Sequence, residues 1–293
     1  MKATGTTSGS LLSTVLIYAV MWFVIAITVY PFLYVFSMSI SNPQYVIEGA
    51  IWLFPKGFSL ESYERVLSDP GIWTAYGNTL IYAGAGTALN IAFTMLAAYP
   101  LSRRGFALGI PIMVMIVVTM FFSGGLIPNF LLIKELDLYN TRWAILLPGL
   151  TSAFYIIIAR TFLQSIPESL QESARIDGAN DIGIFVRIII PLSKPILAVL
   201  ALFYAVGHWN SYFSAMIYLP NVKLQPISLY LVKVLVQDQQ SMMEGMMNQY
   251  DRALASVQLK YAMIIVTVLP ILLVYPFLQK YFVKGVMIGS LKE

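Results

Sequence analysis

The chain has 293 residues, of which 58% are hydrophobic and only 11% charged, far below the roughly 25% charged side chains of a soluble domain, so a soluble globular protein is excluded. Its net charge of +4 is not gathered into a Lys/Arg run or a basic aromatic patch, and nothing supports nucleic acid as a partner. The absence of cysteine removes disulfides, thiolate chemistry and Cys-based metal sites.

In chain order, the start MKATGTTSGS has no evident cleavage site and leads into an apolar run too long for a signal peptide, which predicts an uncleaved first span. Six spans follow from apolar windows of bilayer length: Leu11 to Ser37, Ala75 to Pro100, Leu108 to Ile133, Trp143 to Leu163, Ile196 to Leu219 and Leu259 to Val283. They predict an all-α integral membrane protein with a single polytopic domain over 1–293. The Arg103-Arg104 pair in a very short loop places that loop, and with it both termini, in the cytoplasm.

Between spans one and two, Ile40 to Thr74 carries Trp52, Phe54, Tyr63 and Trp73 among acids, the pattern of short helices at the outer interface. The second span holds Ala83, Gly84, Ala85, Gly86 and Ala88, small residues that permit close helix packing in lipid, and its Asn78 and Asn90 favour interhelical hydrogen bonds. Pro111, Gly124, Gly125 and Pro128 in the third span and Pro148-Gly149 in the fourth predict kinks or local unwinding, beside a pathway or within ordinary packing.

From Ser165 to Pro195 the chain turns polar. Ser165 and Glu168 have capping-box spacing and Pro167 suits a first turn, so a helix is predicted to start there, with Ile166, Leu170 and Ala174 on its apolar face and Glu168, Gln171, Glu172 and Arg175 on the other flanks. Gly178 supplies a left-handed stop, Asn180 and Asp181 cap a second helix from Ile182 to Ile190, and Pro191 ends it. The product is a helix-turn-helix elbow between spans four and five. In the fifth span His208, the only histidine, sits beside Trp209, Asn210 and Tyr212, either facing a translocation path or satisfied by a neighbouring helix. The polar segment Pro220 to Gln258 forms a second outer region, whose Met242, Met243, Met246 and Met247 recur at helical spacing and either pack locally or dock a partner.

Catalysis by this chain is not expected. One His and no Cys give no metal cluster, no GxxxxGK[ST] or GxSxG motif occurs, and Glu172 and Asp177, five apart, do not share a helix face as an acid/base pair would. The spans also lack the ionisable network of an ion-coupled carrier, Arg160 near a helix end being the exception, so any pumping needs energy from elsewhere.

Glu172-Ser173-Ala174, then Asp177-Gly178-Ala179, then Ile190-Pro191, together with Trp209-Asn210 and the ending Lys284-Gly285-Val286-Met287-Ile288-Gly289, resemble the permease subunits of type I bacterial ABC importers of the carbohydrate class, whose EAA loop the elbow matches. The resemblance covers essentially the whole chain, with Ser173 where the family usually has Ala. It implies a six-span inner-membrane subunit whose loop 165–195 is a coupling helix seated in a cytoplasmic ATPase. Glu172, Ser173, Ala174, Asp177, Gly178 and Ala179 would form the coupling surface, Ala174 and Ala179 allowing close approach and Glu172 pairing with a basic residue. It further implies a heterodimer with a second permease, two ATPase subunits that hold ATP and Mg, an external solute-binding protein meeting the outer segments 40–74 and 220–258, and an oligosaccharide or acidic polysaccharide such as alginate as cargo. His208, Trp209, Asn210 and Tyr212 would lie on the translocation path. The alternative from the residues alone is a membrane scaffold or receptor that anchors a cytoplasmic partner without moving solute.

Overall fold

The computed structural model describes residues 8–243 and 257–274; the Lys284 to Gly289 match, Met246 and Met247 lie outside them. The helices are α1 (Ser8–Ser39), α2 (Pro43–Ile47), α3 (Glu61–Ser68), α4 (Pro70–Ser102), α5 (Gly109–Phe121), α6 (Leu126–Glu135), α7 (Trp143–Leu146), α8 (Ala153–Gln164), α9 (Ser169–Ile176), α10 (Asp181–Ile184), α11 (Ile190–Leu192), α12 (Lys194–Trp209), α13 (Tyr212–Tyr218), α14 (Ile227–Met243) and α15 (Val257–Val274). Among the described residues no strand forms, and the short helices α2 and α3 occupy the segment where interfacial helices were expected.

Three helices are individually long and apolar enough to cross a membrane: 13–39, 70–102 and 257–274. The expected spans three, four and five are instead broken. α5 and α6 meet at 113° across Phe122–Gly125, where Gly125 takes φ +82° and leads α6 off in a new direction. Pro111 and Pro128 lie in the first turns of their helices, where a missing N–H costs nothing, so the glycines make the bend. The fourth span is a single turn, α7, and the twelve-residue α8, separated at Pro148-Gly149 with Gly149 at φ +79°. The break between α12 and α13 at Asn210-Ser211 was not anticipated.

Contacts divide the chain into two units, 1–69 with 233–268 and 70–232 with 269–293. In the first, Gln258 is fully buried and satisfied three ways: its amide nitrogen donates to the Ser39 and Ser41 carbonyls, and its oxygen accepts from the Ser62 hydroxyl at 2.8 Å. Met38, Val46 and Ile51 pack beside it. The apolar side chains of α1 are exposed along most of its length, as suits a surface solvated by lipid tails.

The second unit is organised on α4. Its one regular 33-residue helix carries buried polar side chains at Asn78, Thr79, Thr87, Asn90 and Thr94, and most of these fasten broken segments that cannot satisfy their own backbone. At one end, Asn78 donates to the carbonyls of Lys223 (2.7 Å) and Gln225 (3.2 Å) and accepts from Arg142 (3.2 Å). Tyr82 donates to Leu224 at 2.7 Å, and the Thr79 hydroxyl accepts the Ile227 N–H at 2.8 Å. The expected interhelical role of Asn78 thus becomes a helix-to-loop latch. Asn78→Ala removes the amide that donates to both carbonyls and is expected to cost about 1–3 kcal/mol, read as a lowered unfolding midpoint in detergent. At the opposite end an apolar core joins Met95, Ala98 and Leu101 of α4 to Ile156, Ala159 and Leu163 of α8 and to Ile196, Leu200 and Tyr204 of α12.

Candidate functional site

The elbow grows out of the far end of that core. Ser165 does not cap a new helix: it still belongs to the last turn of α8, and its hydroxyl donates back to the Phe162 carbonyl at 2.6 Å. The next helix begins at Ser169, and the Glu168 carbonyl accepts its first bonds, from the N–H groups of Gln171 and Glu172. The inward face is Gln171 and Ala174; Leu170, expected inside, is exposed. Both Leu170 and Gln171 flank Ala174 on the helical wheel, and packing selects the Gln171 side.

The helix ends as the sequence predicts. Asp177 is the C-cap and Gly178 follows at φ +83°. Its N–H donates to Arg175 at 3.0 Å, and the Ala179 N–H donates to Ala174 at 2.9 Å, the paired 5→2 and 6→1 bonds of a Schellman motif. Ala174 and Ala179 are therefore the two residues that meet across this motif. Ala174 is buried in the core and Ala179 packs against it, so the close approach these small residues permit is first of all within the chain. The Ser173 hydroxyl is occupied by the Ser169 carbonyl at 2.9 Å.

Asn180 caps the second arm, accepting from the Gly183 N–H at 2.7 Å as expected. Pro191 does not stop that arm. Phe185–Ile189 widens into a π turn ahead of the proline, which absorbs a ring that would collide with the carbonyl four residues back, and the arm ends at Ser193. There the elbow meets α12 at 79°.

The two arms are clamped by Arg175, whose guanidinium donates to the Asp181 carboxylate at 2.9 Å, with Arg103 at 3.7 Å. The hydrogen bond from Arg175, aided by the two positive charges, holds the Asp181 carboxyl below the ordinary carboxylate range against its slight desolvation. A depressed pKa means that the clamp is complete above about pH 4 and is lost only as pH falls through the lowered value. Asp181→Asn is thus expected to shift the unfolding midpoint by only about a degree or two between about pH 5 and 8, because exposed ion pairs contribute little. A pH and salt series of unfolding midpoints on the purified protein in detergent measures this.

On the other side, Arg160 of α8 donates from Nε to the Leu101 carbonyl at 2.8 Å, closing the end of α4 with a cation where carbonyls are left over. The elbow is therefore fastened to its base, and it presents an outer surface. Glu172, Ser173, Asp177 and Gly178 are exposed, and with them Ile176 and Ile182, 86% and 74% exposed. Those two isoleucines are a surface feature that hydropathy alone does not separate from core.

The residues expected on a translocation path are divided between two environments. His208 is half-buried near the end of α12 and bonded to Asn90; Trp209 is buried, its ring edge-on to Tyr76 at 6.3 Å. Asn210 is exposed and donates to the Val206 carbonyl at 3.0 Å, ending α12, while Tyr212 is exposed at the start of α13. Among the described residues no group of His, Asp and Glu could hold a metal.

Long apolar helices, broken segments fastened by buried amides, and a rigid elbow with an exposed mixed surface define an integral-membrane transport subunit. Comparison with known proteins agrees, and the chain belongs to the family of binding-protein-dependent transport system inner membrane components, which it matches over residues 91–288. Protein LplC of Bacillus subtilis (strain 168) is 40% identical over 268 residues, covering 91% of this chain and 90% of that protein. The polygalacturonan/rhamnogalacturonan transport system permease protein YtcP of the same organism is 40% identical over 279 residues, covering 94% and 97%. Among solved structures, a chain of a bacterial ABC transporter involved in the import of the acidic polysaccharide alginate is similar with a TM-score of 0.87 and 33% identity, over 96% of this chain and 100% of that one.

Proposed function

We propose that this chain is one permease subunit of an ATP-driven importer for acidic oligosaccharide or polysaccharide, and that the elbow is its coupling element. The observation that carries the reading is the elbow: two short arms set by the Gly178 turn and bridged by the Arg175–Asp181 pair, seated on α4 and α8, with Glu172, Ile176, Asp177 and Ile182 turned outward. A cleft of a cytoplasmic ATPase offers such a surface apolar contact for the isoleucines and basic groups for the carboxylates. Closure of the ATPase would then move the arms, and the core behind Ala174 would carry the motion to α4, α8 and α12 as rigid bodies. The elbow and both termini lie in the cytoplasm in this reading. A second permease completes the path, two ATPase subunits hold ATP and Mg and perform the hydrolysis, and an external binding protein delivers the cargo.

Acidic cargo is favoured by two relatives. The 40% identical YtcP is described as a polygalacturonan/rhamnogalacturonan permease and the 33% identical structure as an alginate importer, and galacturonan and alginate are both polymers of uronic acids. Proteoliposomes holding the complete complex test this with labelled oligogalacturonides, alginate oligomers and neutral maltooligosaccharides. ATP-dependent uptake of the uronic oligomers, in preference to the neutral ones, is the expected result. Partner binding without any uptake would favour the scaffold reading.

A further inference from the structure

We propose that Asn90 is a positioning residue for transport: from the 33-residue helix α4 it holds two broken segments at a fixed separation, and His208 acts through it. This rests on the importer reading above.

The geometry is a clasp with every polar atom of one amide engaged. Asn90 is buried in α4, and its Nδ2 donates both hydrogens, to the Gly149 carbonyl at 2.8 Å and the Leu150 carbonyl at 2.9 Å. These carbonyls belong to the break between α7 and α8, where no helical N–H is available to them. Because the nitrogen is committed as a double donor, the remaining Oδ1 acts only as an acceptor, and His208 Nε2 lies 2.6 Å from it. The imidazole therefore carries its hydrogen on Nε2 at this contact.

His208 stands two residues before the second break, at Asn210-Ser211 between α12 and α13, and the Ser211 hydroxyl returns to the His208 carbonyl at 2.7 Å. One turn back along α4, Gly86 leaves the room for the ring: a Cβ there would stand 2.4 Å from Nε2. A second tie runs parallel, the Thr94 and Tyr204 hydroxyls meeting at 2.7 Å between α4 and α12. Two helix breaks, at Gly149-Leu150 and Asn210-Ser211, are thus referred to one side chain on one helix. The consequence is mechanical: the segments flanking the breaks move together with α4, and their mutual distance does not change as the complex cycles.

The test uses the complete complex in lipid nanodiscs and proteoliposomes. The chain contains no cysteine, so spin labels can be placed at Leu147 and Phe213, one in each broken segment. With wild-type Asn90 and His208, one narrow label distance is expected, the same in the nucleotide-free and vanadate-trapped states. Asn90→Ala is expected to broaden it and to lower maximal coupled uptake roughly tenfold, with the apparent affinity for loaded binding protein unchanged. His208→Gln, which keeps a donor, is expected to retain uptake within about threefold, whereas His208→Leu follows Asn90→Ala. Should Asn90→Ala fail to assemble, the Gln/Leu pair at 208 decides alone, with uptake by His208→Leu equal to His208→Gln overturning the proposal. It is equally overturned by a wild-type label distance that differs between the two states, or by an assembled Asn90→Ala complex with wild-type uptake. A wild-type complex that moves no saccharide at all would instead remove the importer reading.

Discussion

Gly178→Val is expected to leave the complex assembled but to lower ATP-coupled uptake by an order of magnitude or more. The residue sits at φ +83°, and a Cβ there meets nothing within 4 Å, so the penalty is purely conformational. An L residue in this region costs about 1–2 kcal/mol, and more when β-branched, while one or two kcal/mol already shifts a two-state population by a factor of roughly 5–30. The Schellman bonds from Gly178 to Arg175 and from Ala179 to Ala174 are the ones strained, so the angle between the elbow's arms is what changes. The prediction is graded. Gly178→Asn, whose side chain tolerates the left-handed region, retains most coupling, Gly178→Ala less and Gly178→Val least. Uptake and ATP hydrolysis measured side by side in proteoliposomes give the order, and equal behaviour of the Asn and Val variants would refute the conformational explanation.

Gly86→Ala is the second large effect, with the opposite cause. Here the backbone is ordinary helix and the space is taken: the added carbon would lie 2.4, 2.6 and 2.8 Å from three atoms of the His208 ring. The ring cannot yield freely because Asn90 holds it. Overpacking of about 1–3 kcal/mol adds to about 1 kcal/mol for the hydrogen bond that is lost, so a drop of several degrees in the unfolding midpoint of the purified complex is expected. Gly86→Ala combined with His208→Ala should recover the overpacking part of that loss but not the hydrogen bond, since the second change removes what the first collides with and also the donor to Asn90. Unchanged stability in the single variant would falsify the packing account.

What could be read from the sequence follows the range of the interactions concerned. The elbow was legible because its turn is local chemistry: a glycine after a short amphipathic run, then Asn180 with a free amide to accept. The breaks at Gly124-Gly125 and Pro148-Gly149 were legible for the same reason. Ser165 was misread because a serine between two helices can cap the next or bond back to the last, and the choice depends on where the preceding helix stops. Ala174 was expected on the docking surface and lies in the core, since a small residue serves close approach on either side and only the packing of α4 and α8 says which. An interhelical hydrogen bond was anticipated for Asn90. Its partners were not, being 59, 60 and 118 residues away on segments whose positions no local pattern encodes. The break at Asn210-Ser211 had no proline or glycine to announce it.

The length of α4 has one more implication. At 1.5 Å per residue its 33 residues make a rod of about 50 Å, longer than the roughly 40–45 Å of a whole bilayer with its headgroups. Just past its elbow end stands Arg103 beside Asp181, near its middle Asn90, and at the other end Asn78 and Tyr82, bonded to the 222–227 loop. If the elbow is displaced as proposed, the stroke would reach the opposite end of α4 in series, as a push-rod delivers it. The interrupted helices, fastened to it at Asn78 and Asn90, travel with it.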